Sequence, residues 1–121
     1  MNAFHPVELL AAAWEKGRFD WDPELDEERE RALTDGRALT AYAERATAAW
    51  HDFLLGAGDA PGDRPIATSR GELGFSELVR SQRWHAAYHY RQLVEFLRSR
   101  GVTVRGSARL AADIGLPDEV F

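Results

Sequence analysis

Apolar residues recur at intervals of three and four in two long stretches of this chain, and a glycine follows each stretch. In the first, Leu39, Tyr42, Ala43, Ala46, Trp50, Phe53 and Leu54 make one stripe, which predicts a helix from about Arg37 to Leu55, before Gly56. In the second, Leu78, Val79, Gln82, His85, Ala86, His89, Leu93, Phe96 and Leu97 share a face at about 100° per residue. That predicts a helix capped by Ser76, running to about Arg100 and stopped by Gly101.

Two shorter helices are expected ahead of these. Pro6 suits an early helical position and Gly17 an ending, so the run to Lys16 is predicted as a helix, and VELLAAAWEK is apolar nearly all round. Asp22 and Pro23 then form an N-cap and first-position pair for about three turns of acidic helix. Those acids lack the Asp-x-Asp-x-Asp-Gly order of a calcium loop, so they are expected to be a solvated, capped face. The stretch GAGDAPGDRPIATSRGELG is predicted as a long loop. The tail from Val102 has little period, and one short helix is expected after Ser107.

Composition narrows the function. At 121 residues and 45% apolar, the chain is one compact domain, all-α by its patterning. No apolar run approaches the roughly 20 residues of a membrane span, and Met1-Asn2-Ala3-Phe4-His5 is no signal-peptide start; a cytoplasmic protein is expected. There is no cysteine, which removes disulfides, thiolate metal sites and cysteine nucleophiles. With 20 acids against 15 bases, a general nucleic-acid binder is not expected. No Ser/His/Asp order, phosphate loop or paired acid stands out.

The candidate chemistry lies on the last long helix. His85 and His89 are one turn apart, and imidazoles at i and i+4 point the same way, about 6 Å apart at Cβ. They can share one divalent ion. The spacing also arises by chance, and the same pair inside a core would need buried partners for its ring nitrogens. An open metal site uses three protein donors, and His5 and His51 are the candidates for the third. His51 lies about 90° or more from the middle of its helix's stripe, which reads as a solvent flank. His5 opens a helix apolar all round, yet Val7, Leu10, Ala11 and Trp14 form the cleanest stripe there, and it points away from His5. Spacing leaves the choice open.

The run RSQRWHAAYHYRQLVEFLRSRGV resembles the last helix of the DinB-like superfamily: a His, three residues, a second His, then a Gln-Leu pair, here His85, His89, Gln92 and Leu93. FHPVELLAAAWEKGRFDW is similar to that family's second bundle helix, which carries its third ligand far upstream. Gly115-Leu116-Pro117 also fits endings found in one subgroup. The resemblance covers most of the chain and implies an up-down-down-up helical bundle with one divalent ion (zinc, nickel or iron) on His5, His85 and His89. It selects His5, 80 residues before His85, over His51, 34 before it. It further implies a metal-dependent thiol S-transferase or isomerase that uses an external low-molecular-weight thiol. The rival expectation is a non-enzymatic, metal-stabilised dimeric helical scaffold.

One departure from the family bears on assembly. The family's bundle has a complete helix before the one carrying its first His, and here four residues precede His5. With that wall missing, Leu9, Leu10 and Trp14 are expected to face water, at about 1.5–3 kcal/mol for each side chain left unburied. A homodimer packing these faces about a two-fold axis is therefore expected, unless the acidic segment or the tail folds back over them. Trp84 lies about 180° from the stripe of the last helix, beside Arg80 and Arg91, and reads either as an amphipathic surface residue or as a partner contact.

Overall fold

A computed structural model of the chain describes residues 5–58, 60, 62–105, 109, 112 and 113; of residues 5–7 and 25 it describes the backbone alone. The described residues are mostly helical, with a small two-stranded sheet. In order they are α1 (His5–Lys16), α2 (Pro23–Ala32), α3 (Gly36–Ala57), β1 (Pro65–Thr68), β2 (Gly71–Gly74) and α4 (Phe75–Ser99). The chain divides into two compact units, Met1–Val79 and Arg80–Phe121. Of the expected tail helix, Arg109, Ala112 and Asp113 are helical, while Ser107 and Gly115-Leu116-Pro117 lie outside the described residues. None of the described helices is long and apolar enough to cross a membrane.

Local chemistry sets the helix ends. Asp22 accepts a hydrogen bond from the Glu24 N–H at 3.0 Å, and Asp35 accepts one from Ala38 N–H at 2.8 Å, so each aspartate caps the helix that follows it. α4 begins two positions earlier than a Ser76 cap would have it. Ser76 is not its cap, because the helix already begins at Phe75; Glu77 instead reaches back to accept from Gly74 N–H at 3.0 Å. At the other end Val102 N–H donates to Leu97 O and Gly101 N–H to Arg98 O, which is a Schellman motif closed by Gly101 at φ +80°.

The predicted loop between the long helices contains a hairpin. β1 and β2 pair antiparallel, with Ile66 opposite Leu73 and Thr68 opposite Gly71. The Thr68 hydroxyl donates to Gly71 O and accepts from Arg70 N–H, which closes the turn. Gly71 holds φ +108°, a conformation open to glycine. β1 also makes a parallel bridge with the exit of α1: Ala67 N–H donates to Gly17 O, and Phe19 N–H to Ala67 O, both at 2.9 Å.

This hairpin corrects the expectation for α1. Ile66, fully buried, joins Leu10, Ala13, Phe75 and Leu78 in the core of the first unit. Trp14 packs edge-on to Phe75 (4.8 Å between ring centroids) and to Phe53 (6.2 Å). Leu10 is therefore buried, and Leu9 and Trp14 are half-buried rather than left to water. The side of α1 assigned to a missing helix is covered from within the chain, by residues of the stretch read as a loop. α1 packs on α3, where Tyr42 donates to Glu8 (3.3 Å) and Arg29 of α2 pairs with the same carboxylate (3.0 Å). On α3 Tyr42 and Ala46 are buried, whereas Leu39 and Leu54 of the predicted stripe are exposed. Glu24, Glu27 and Glu28 of α2 face solvent as expected, whereas Asp26 is buried and Glu30 half-buried.

Candidate metal centre

α4 contributes its first turn to the first unit and the remainder to the second, and both histidines of the candidate pair lie in the second. Phe75 and Leu78 are buried. Among the described residues beyond Arg80, those buried are Ala87 and Val94, which at 100° per residue lie about 180° around the helix from His85 and His89. This corrects the sequence reading of one continuous core stripe. His85 is exposed, His89 is half-buried, and Leu93 and Phe96 on the same side are 53% and 54% exposed. A three- and four-residue period identifies an apolar face but not what covers it. Here the small Ala87 and the short Val94 sit on the covered side, and the larger groups face outward.

The pair itself forms as its spacing requires. The rings of His85 and His89 lie 4.6 Å apart between centroids, one edge toward the other's face at 72°. His89 Nδ1 donates to the Gln92 side-chain oxygen at 2.8 Å, one turn further along. That bond sets the tautomer: Nδ1 carries the proton, so Nε2 carries the lone pair a cation takes. Histidine ligands characteristically donate their second nitrogen to such an oxygen, which holds the ring in place. His85 is held below its ordinary value of 6.5, first by the partial burial of its ring and second by the charge on His89. Both causes favour the neutral, ligating form.

His5 opens α1 in the first unit, and its side chain lies outside the described residues. His51 is exposed on α3, as its angular position predicts, in a shallow depression with Glu44, Thr47 and Asp52. Among the described residues, no three His, Cys, Asp or Glu side chains gather at one point. Among the described residues the arrangement is therefore two neighbouring imidazoles, one of them hydrogen-bonded to an amide oxygen.

No protein-family model matches the chain, and no curated protein or solved structure matches it. The site rests on its own geometry.

The surroundings of the pair hold residues that the sequence reading assigned elsewhere or passed over. Trp84, 43% exposed as its position predicts, stacks on Tyr88 with ring centroids 5.4 Å apart and planes within 8°. Tyr88 in turn meets His89 edge-to-face at 5.6 Å. Leu93 and Phe96, expected in the core, flank the histidines on the open side. One signal in the sequence points to this face. On the arc through Ser81, His85, Tyr88, His89, Gln92 and Phe96 there is no arginine or lysine, in a helix that carries Arg80, Arg83, Arg91 and Arg98 on its other sides.

Proposed function

We propose that this protein binds a divalent metal ion through His85 and His89. The observation that carries the reading is the His89–Gln92 contact at 2.8 Å beside the paired rings, because it presents Nε2 for coordination on an accessible helix face. Zinc, nickel and iron(II) all suit imidazole donors. Two histidines are an anchor, and the remaining donors separate two versions of the function.

In the first, His5 supplies the third imidazole, as the likeness to the DinB-like bundle implies, and a position stays open. A cation held there supplies Lewis acidity for ionising an external thiol, in a metal-dependent S-transferase or isomerase. The chain has no cysteine, so the nucleophile would come with the substrate. In the second version the ion is structural and stabilises a dimeric helical scaffold. The exposure of Leu93 and Phe96 beside the histidines supports that version, since large apolar side chains of this kind mark a contact surface.

Metal titration by calorimetry at pH 7.5, followed by elemental analysis of the desalted protein, tests the anchor. Stoichiometric binding that is lost in His85→Ala and in His89→Ala, and kept in His51→Ala, is expected. Full metal content in His89→Ala would overturn the proposal.

A further inference from the structure

Resting on the two-histidine anchor, in the version where the ion keeps an open position, we infer that the site takes a small aliphatic acid. One end of that molecule binds the ion, and its carboxylate is held by Arg100. Arg100 follows directly after α4, one turn beyond Phe96. Its guanidinium carbon sits 5.0 Å from the centroid of the Phe96 ring. Attraction to the ring fixes where the cation stands without consuming its N–H donors.

The neighbouring arginine is already matched, since Arg98 pairs with Glu95 at 2.9 Å. Among the described residues no carboxylate pairs with Arg100. A planar group that is always charged, with its donors on offer, suits a carboxylate, which it can hold through two parallel bonds.

The helix face joins Arg100 to the histidines. At 100° per residue, His85, His89, Leu93, Phe96 and Arg100 fall within about 80° of one another. Phe96 is seven positions beyond His89, so the ion and the guanidinium stand on the order of 10 Å apart along the axis. Between them Leu93 and Phe96 are 53% and 54% exposed, apolar surface that an aliphatic chain can cover. The order along the face is metal-binding, apolar, cationic. A molecule that matches it carries a donor, an aliphatic stretch and an acid group. A simple anion reaches one end alone, and an uncharged chain leaves Arg100 unused. The span is that of a small molecule, whereas a stable protein interface takes roughly 800 Å² per partner.

Calorimetry on the zinc-loaded full chain tests the inference, with the monohydroxamates of succinic and suberic acid and the methyl ester of each as probes. The hydroxamate is the zinc-binding end, and the ester removes the negative charge at the other. Suberic monohydroxamate should bind about three- to fivefold more tightly than its ester at low salt. The advantage should shrink as salt is raised, because Arg100 is exposed. The succinic pair, too short to reach from the ion to Arg100, should show no comparable difference. Arg100→Gln should bind zinc as the parent does and lose the suberic advantage, while Arg100→Lys should keep part of it. A chain that binds no zinc, by elemental analysis of the same samples, overturns the anchor and this inference together. Full zinc content with the suberic acid and ester bound equally, or an advantage that survives Arg100→Gln, overturns the inference and leaves the anchor standing. Loss of zinc to the hydroxamate, in place of a ternary complex, does the same.

Discussion

His89 and Gln92 are joined by a hydrogen bond of 2.8 Å from the imidazole Nδ1 to the amide oxygen, across a single turn of α4. The amide decides which nitrogen of the ring is available. It also restrains the ring's rotation, so that part of the ordering a bound ion demands is already present before it arrives.

Gln92→Leu keeps the bulk of the side chain and removes the acceptor. Metal affinity should fall about 10- to 100-fold, with the helix content unchanged by circular dichroism. Calorimetry with zinc at pH 7.5 checks this, and an unaltered affinity would mean that Gln92 does not orient the ligand.

How much of this was legible beforehand differs from element to element. α1, α2 and α3 follow from Pro6, Asp22-Pro23, the terminal glycines and the 3.6-residue period, because those signals act within one turn of chain. The hairpin was not legible. Its strands have four residues each, too few to show alternation, and Ile66 is the one fully buried side chain in β1. What fixes them is distant: the Gly17 and Ala67 backbone groups that bond across the chain. On α4 the histidine pair was legible because i and i+4 on a helix must be neighbours. The side it faces was not, since the same period describes a covered stripe and an open one. His5 was reached by likeness alone, and its side chain lies outside the described residues.

In the metal-free chain His85 should titrate below 6.5, with the partial burial of its ring the larger cause and the charge of His89 the smaller. Between that lowered value and about 6.5 the unfolded chain binds more protons than the folded one, so stability rises with pH across the window. The contribution is complete above about 6.5 and is lost as acidification passes through the folded value. Two-dimensional NMR of the ring protons gives the midpoint directly. His85→Asn should flatten the dependence of the urea midpoint on pH between 5 and 7, and an equally steep dependence would contradict the assignment.

Ile66→Ala removes a fully buried side chain from the core of the first unit, where it joins Leu10, Ala13, Phe75 and Leu78. A loss of about 2–5 kcal/mol in urea unfolding is expected. Leu93→Ser, on the open face of α4, should change stability by no more than about 0.5 kcal/mol in the metal-free protein. A Leu93→Ser cost as large as that of Ile66→Ala would mean that Leu93 is covered in solution.

The anchor itself is tested most directly by anomalous diffraction at the zinc edge, on crystals grown with one equivalent of zinc. The account predicts a strong anomalous peak within about 2.0–2.1 Å of one ring nitrogen each from His85 and His89, with His89 Nε2 the coordinating atom. A zinc-loaded crystal with no peak between these two rings, or with its principal peak at His51, would contradict it.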